Sequence, residues 1–183
     1  RHRHHAGFGF ADALASGAGG RFGYENRVQG GTCRVAIGGE QVRVVKPDTF
    51  MNKSGHAIVA ALNYWKLAPE ELLVVHDDLD LSPGTARLKF DGGHGGQNGL
   101  RDIMAQLGHG RFHRLRLGIG HPGDRNRVTS WVLGNPSVAD EDALLDAIAR
   151  ALDVLPLAVA GELNEAMKRL HTNGNREPGI GNR

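Results

Sequence analysis

Alternating apolar and polar residues predict a set of β-strands along the chain. Five segments have this alternation or a short apolar run: CRVAI (33–37), QVRVVK (41–46), LLVV (72–75), ARLKF (86–90) and RLRLGIG (114–120). The first two flank Gly38-Gly39-Glu40, which predicts a β-hairpin. The run LLVV predicts a short buried strand that ends at His76-Asp77.

Apolar residues spaced three and four apart predict helices between and after these strands. Helices are predicted over residues 7–15, from Ser54 to Trp65, from Ser137 with Leu145, Ile148 and Leu152 on its apolar face, and again after Pro156. Ser16-Gly17 is a typical helix end, and Ser54 is a typical cap. Interleaved strands and helices predict a single α/β domain over residues 1–171, followed by a disordered tail at 172–183.

Composition narrows the class of protein. A chain of 183 residues suits one domain with its own core. No apolar run approaches the roughly 18 residues of a membrane span. The one cysteine, Cys33, excludes a disulfide framework and suits a reducing cytoplasm. We therefore expect a cytoplasmic protein with no membrane association.

Positive charge is concentrated in the middle of the chain. Residues 87–127 contain eight Lys or Arg and three Asp, a net charge of +5 over 41 residues. The alternation in ARLKF places Arg87 and Lys89 opposite the apolar residues, and that in RLRLGIG does the same for Arg114 and Arg116. A basic segment of this kind favours a nucleic-acid partner, and the alternative is an ordinary solvated surface.

The candidate chemistry is a histidine paired with a carboxylate. His109 and His113 lack the glutamate of a HExxH metal site, and Cys33 lies in a predicted hairpin strand without a nearby base. A histidine oriented by an aspartate acts as a general base near neutral pH, and asparagine amides stabilise an oxyanion. The candidates are His4 or His94 with Asp77, together with Asn52 and Asn98. The alternatives are a turn-forming Asp77 and a helix-start role for Asn52.

The stretch KFDGGHGGQNGLRDI (89–103) raises a separate question, because glycine weakens regular structure and permits a close approach of the backbone. Neither GxGxxG nor GxxxxGK[ST] spacing fits it, so a nucleotide-phosphate loop is disfavoured. A polar turn is the simple alternative, and the residues alone leave open why a His, a Gln and an Asn lie beside these glycines.

Several long motifs resemble those of one family. KPDTFMNKSG is similar to KP-x-TFMN-x-SG of the bacterial peptidyl-tRNA hydrolases. VVHDDLDLSPG followed by GGHGGQNGL resembles that family's HDELDLPPG and GGHGGHNGL, and FHRLRLGIGHPG is nearly its sequence. The start, RHHAGFGFADALA, resembles TRHNAGF, and the likeness runs from about Arg3 to Thr172.

The resemblance implies a fold and an activity. The implied fold is a twisted, mixed, mostly parallel sheet flanked by helices. The implied activity is hydrolysis of the ester bond between peptide and tRNA, with His4 as the base and Asp77 as its partner and with no cofactor or metal. A noncatalytic RNA-binding protein on the same fold is the alternative.

The resemblance also implies the residues that bind substrate. Peptide-side contacts would come from Phe50, Met51, Asn52 and Asn98, with the glycine-rich stretch as one wall of the cleft. The implied tRNA contacts are Arg87, Lys89, Arg101 and Arg116. The protein is expected to act as a monomer.

The chain departs from the family pattern at three places. His5 stands where Asn is usual, and Gln97 stands where His is common. The family's first strand and GLGNPG-type loop do not precede Arg1 in this sequence. On this basis we expect the buried strand LLVV to lack one neighbour and the site to lack one amide.

Overall fold

The computed structural model describes residues 2–48 and 54–174, with side chains up to residue 172. Among these residues the strands are β1 (Gly23–Glu25), β2 (Gly30–Ile37), β3 (Glu40–Pro47), β4 (Leu73–Asp78), β5 (Ala86–Phe90) and β6 (His113–Gly118). The α-helices are α1 (Ala6–Gly17), α2 (Ser54–Tyr64), α3 (Asn98–Leu107), α4 (Val128–Leu133), α5 (Val138–Val159) and α6 (Leu163–Gly174). Short 3₁₀ turns lie at Arg3–His5, Pro69–Glu71 and Arg125–Arg127.

The chain forms two compact units, each built from separate segments. Within the described ranges, the first unit contains residues 2–10, 75–88 and 115–174. The second contains residues 11–48, 54–74 and 89–114.

The second unit contains an antiparallel sheet with the order β1-β2-β3. The predicted hairpin is confirmed, since Ile37 pairs with Glu40 across a two-residue turn. Gly38 and Gly39 both have positive φ, at 57° and 84°, as the favoured two-residue hairpin turns require. The unit's core is formed by Leu100, Ile103 and Phe112, against which α2 and α3 contribute further apolar side chains.

The other sheet has the strand order β4-β6-β5, and backbone hydrogen bonds at its strand ends give the directions. His113 N–H donates to Leu72 O, and Ile119 N–H donates to Asp78 O, so β4 and β6 are parallel. Gly118 N–H donates to Thr85 O and Asp91 N–H donates to Phe112 O, so β5 runs antiparallel to β6. An α/β fold with mixed sheets flanked by helices is therefore confirmed. Among the described strands, β1-β2, β2-β3 and β5-β6 pair antiparallel, and β4-β6 pair parallel.

Two details of the terminal helices differ from the prediction. Pro156 does not end a helix: α5 continues through it to Val159, although the proline has no N–H to donate to the carbonyl oxygen of Leu152. Leu145 is exposed, and the buried face contains Ala147 and Ala151 beside Ile148. The prediction placed this face wrongly because it used only the large apolar residues, whereas alanines form part of the buried face. Helix α6 extends to Gly174, and the rest of the expected tail lies outside the described residues.

The described part of the chain contains no helix that is both long enough and apolar enough to cross a bilayer.

Candidate active site

A histidine and an aspartate from distant parts of the chain meet in the first unit. His4 Nδ1 lies 2.9 Å from Asp77 Oδ1, and their side chains are 16% and 7% exposed. An ionised carboxylate only accepts hydrogen bonds, so Nδ1–H donates and Nε2 carries the lone pair. His4 is therefore oriented as a proton acceptor. Of the two histidines considered from the sequence, it is the one bonded to Asp77.

Arg3 and Trp131 hold the 3₁₀ turn that carries His4. The Arg3 guanidinium lies 3.6 Å from the Trp131 ring centroid and donates to the Trp131 carbonyl oxygen at 2.9 Å. Arg3 N–H donates to Gly134 O, and Trp131 Nε1–H donates to Gly120 O at 2.9 Å. The turn is thus tied to the C-terminal half of α4 and, through the Trp131 ring, to the residues after β6. Sequence reasoning missed this clamp, although an arginine beside the candidate base was a usable signal.

Close packing places Asp77 at the end of β4. A Cβ at Gly7 would lie 2.5 Å from the Val75 carbonyl oxygen, so only glycine lets the start of α1 approach β4 this closely. His76 is buried and its Nδ1–H donates to the Asp77 carbonyl oxygen at 2.8 Å. Burial is the main cause that lowers the pKa of His76, which favours its neutral form. Both neighbours hold the backbone that presents the Asp77 carboxylate.

The glycine-rich stretch leads directly to Asn98, the first residue of α3, which is exposed in the second unit. Gln97 caps this helix, since its Oε1 accepts from Leu100 N–H at 2.8 Å. His94 Nδ1 accepts from Gly96 N–H at 3.0 Å, so its ring shapes the loop. Gly95 and Gly96 have positive φ, which explains the need for glycine there. The cap also accounts for a glutamine at position 97.

A buried arginine holds the base of that loop. The guanidinium of Arg114 donates to the carbonyl oxygens of Gly92, Gly93 and Gly110 at 2.8, 2.5 and 2.8 Å. Arg114 is 1% exposed, so its expected place on a polar surface is wrong. Strand β6 lies between β4 and β5, and both of its faces are covered. Burial lowers the pKa of Arg114, and Asp91 opposes that shift.

Helices α2 and α3 contact each other at the start of α2. The Asp102 carboxylate accepts from Gly55 N–H at 2.6 Å and so caps α2 from the neighbouring helix. A Cβ at Gly55 would lie 2.6 Å from the Asp102 carbonyl oxygen, so the two helices need a glycine at this contact. Ser54 is the first helical residue. Phe50, Met51 and Asn52 lie outside the described residues.

The four predicted tRNA-binding cations have different surroundings. Arg87 and Lys89 lie on β5, where they alternate with buried Leu88. A Cβ at Gly92 would lie 2.7 Å from Lys89 Nζ, so this ammonium lies against the glycine-rich loop. Arg101 is exposed on α3. Arg116 donates to Asp78 Oδ2 at 2.7 Å and is therefore already paired.

Within residues 2–48 and 54–174, no cluster of three or more His, Cys, Asp or Glu side chains is arranged to hold a metal ion.

Comparison with known proteins identifies the family. The family model described as peptidyl-tRNA hydrolase matches residues 1–178. The chain belongs to the peptidyl-tRNA hydrolase family. A peptidyl-tRNA hydrolase of Stenotrophomonas maltophilia is 60% identical over 172 residues, covering 94% of this chain and 90% of the relative. One from Xanthomonas campestris pv. campestris is 60% identical over 170 residues, covering 93% and 88%.

A solved structure supports the same assignment. The crystal structure of peptidyl-tRNA hydrolase from Acinetobacter baumannii superposes with a TM-score of 0.90 at 42% identity, covering 93% of this chain and 86% of that one. The resemblance inferred from the sequence motifs is confirmed, and so is the fold class.

Proposed function

We propose that this chain hydrolyses the ester bond between a peptide and the 3′-terminal ribose of tRNA, releasing free tRNA for translation. Membership of the family supports the reaction. The 2.9 Å hydrogen bond between His4 Nδ1 and Asp77 Oδ1 is the observation that links the proposed reaction to particular residues. That bond leaves Nε2 of His4 as a base.

The proposed reaction begins with His4 Nε2 taking a proton from water. The resulting hydroxide attacks the ester carbonyl carbon, and Asp77 stabilises the imidazolium that forms. The tetrahedral oxyanion would accept hydrogen bonds from an Asn side chain or from a backbone N–H. When the intermediate collapses, the bond to the ribose oxygen breaks, and this oxygen takes the proton from His4. The products are the free peptide acid and tRNA, and no cofactor enters the scheme.

The substrate contacts form part of the same proposal. Phe50, Met51, Asn52 and Asn98 would contact the peptide side of the ester. The cations Arg87, Lys89, Arg101 and Arg116 would neutralise tRNA phosphates, which predicts salt-dependent binding. Since Arg116 is paired with Asp78, its contact with phosphate would compete with that carboxylate. We further propose that residues 1–171 act as one functional domain and that the protein works as a cytoplasmic monomer.

Turnover of purified peptidyl-tRNA by a His4→Ala variant tests the proposal. We expect kcat to fall by ~10²–10⁴-fold, the scale of a general base, with nearly unchanged tRNA affinity. His94→Ala is the matched control, because His94 Nδ1 is bonded to Gly96 N–H and not to Asp77. Full turnover by His4→Ala would place the base elsewhere. An inactive parent chain that still bound tRNA would instead favour the noncatalytic RNA-binding role.

A further inference from the structure

Three arginines and two aromatic side chains form a continuous row on the surface of the second unit. Arg34 on β2 is paired in register with Arg43 on β3. The Arg43 guanidinium lies 5.0 Å from the Trp65 ring centroid, and Trp65 lies 5.7 Å from the Tyr64 ring. The Arg27 guanidinium lies 4.9 Å from the Tyr64 ring. These five residues are named the hairpin stripe.

The stripe begins with two like charges held directly opposite each other. Residues paired in register on an antiparallel ladder have Cβ atoms about 4.5–5.5 Å apart on one face of the sheet, and like charges there are destabilising. Arg34 and Arg43 are both exposed, whereas Cys33 and Val44 beside them are buried. Both guanidinium groups therefore leave the same solvent face of the hairpin, where a bound anion would relieve their repulsion.

No protein carboxylate neutralises these arginines. Among residues 2–48 and 54–174, none of Arg27, Arg34 and Arg43 forms an ion pair with Asp or Glu. By contrast, Arg116, Arg150 and Arg169 each have a carboxylate partner within 3.0 Å. The Glu25 carboxylate near the stripe accepts from the Arg27 backbone N–H. The stripe thus presents uncompensated positive charge.

We propose that the hairpin stripe is a second RNA-binding surface, which contacts the phosphate backbone of the tRNA part of the substrate. The inference rests on the proposed function and adds a surface distinct from Arg87, Lys89, Arg101 and Arg116. A guanidinium beside an aromatic ring is restrained while its N–H groups still reach a phosphate in bidentate fashion. Tyr64 is 39% exposed, so its ring is accessible to an unpaired base as well. Guanidinium groups interleaved with aromatic rings suit a polyanion that also carries stackable bases.

The test is the salt dependence of tRNA binding by an Arg34→Gln/Arg43→Gln double variant. Each lost phosphate contact reduces the slope of log K against log salt by roughly 0.7–0.9 units, so we expect a reduction of roughly 1.4–1.8 units. The affinity at low salt falls correspondingly, as measured by fluorescence anisotropy with deacylated tRNA. The single variant Arg43→Lys keeps the positive charge, so its salt dependence should keep most of the slope of the parent chain.

Arg21→Gln/Lys168→Gln is the control, because it removes two exposed positive charges outside the stripe that form no ion pair among the described residues. Its slope should stay close to that of the parent. An unchanged slope in the hairpin double variant overturns the proposal, and so does an equal loss in the control, since net charge alone would then explain the effect.

Hydrolysis of a small N-blocked aminoacyl ester separates this inference from the proposed function. The hairpin double variant should hydrolyse that ester as fast as the parent chain while showing a raised KM for peptidyl-tRNA. An equal loss on both substrates would show damage to the fold or the site, and would overturn the stripe as an RNA contact. If the parent hydrolyses neither substrate, the proposed function fails, while the slope of tRNA binding still decides the role of the stripe.

Discussion

At the scale of single residues, two polar side chains are fixed by what surrounds them. Asp77 could be recognised from the sequence, because it follows an apolar strand and matches a family motif. The burial of Arg114 could not, because an alternating pattern says which residues share a face and not whether that face is covered. The cover over Arg114 comes from Gly92, Gly93 and Gly110, whose carbonyl oxygens accept its hydrogen bonds.

Asp77→Asn should retain the fold and lose most activity. An amide at this position can hold the wrong tautomer of His4, and it cannot stabilise the imidazolium. We expect kcat to fall by ~10²–10⁴-fold on a small ester. Asp78→Asn is a matched control, because it alters the adjacent carboxylate that pairs with Arg116. High activity in Asp77→Asn would leave Asp77 with only a structural role.

Arg114→Met should destabilise the second unit strongly. It removes the Arg114 donor from Gly92 O and Gly93 O, whereas Gly110 O keeps its hydrogen bond from Phe112 N–H. A buried group left unsatisfied costs about 1–3 kcal/mol, and Gly93 is exposed, so only part of that cost applies to it. We expect the free energy of unfolding to fall by about 1–3 kcal/mol in urea denaturation. Arg111→Met, at an exposed neighbouring position, should change it by less than about 0.5 kcal/mol. Equal stabilities of the two variants would contradict the role assigned to Arg114.

At the scale of elements, the sequence predicts local features such as turns, but it does not predict the contacts between distant elements. The Gly38-Gly39 turn predicts its own hairpin, because adjacent positive φ values suit glycine. The capping of α2 by Asp102 joins residues 47 positions apart, and no local pattern reports it. No local pattern reports the contact between Arg3 and Trp131 either, because the two residues are 128 positions apart. Phe50, Met51 and Asn52 remain predictions from the family motif.

Gly55→Ala should destabilise the protein, although alanine is the better helix former by about 1 kcal/mol. The added methyl would lie 2.6 Å from the Asp102 carbonyl oxygen, so α2 and α3 must move apart. Overpacking of this kind costs about 1–3 kcal/mol. Gly17→Ala is the control, because a Cβ there meets nothing within 4 Å. The melting temperature should therefore fall in Gly55→Ala and should rise or change little in Gly17→Ala. A higher melting temperature in Gly55→Ala would show that α2 and α3 are not closely packed at this contact.

At the scale of the whole molecule, burial of histidines links stability to pH. Burial is the largest cause that lowers the pKa of His2, His76, His113 and His171 below 6.5. The unfolded chain then binds more protons than the folded chain as the pH falls through 6.5. The stability contributed by these neutral histidines is present above pH 6.5 and is lost as the pH falls toward their folded pKa values.

His171 allows that linkage to be measured at one site. Its Nε2 accepts from Leu88 N–H at 3.1 Å, so protonation removes an acceptor that joins α6 to β5. We expect the melting temperature to drop between about pH 7.5 and about pH 5.5, with a shallower drop in His171→Gln, which does not titrate. One histidine contributes at most about 1.4 kcal/mol per pH unit. His56→Gln, at an exposed position on α2, is the control, and identical slopes in all three proteins would argue against this linkage.

The only cysteine in the sequence, Cys33, is buried on strand β2 of the antiparallel sheet. The rate at which its thiol reacts with a reagent can therefore report the opening of that sheet. Burial raises the pKa of the Cys33 thiol, and the charge of Lys46 opposes that shift only in part. The thiolate is the form that reacts with a thiol reagent, so the buried Cys33 is labelled when β2 opens and exposes it. The labelling rate under native conditions therefore measures how often the scaffold of the hairpin stripe comes apart, and it requires no engineered probe.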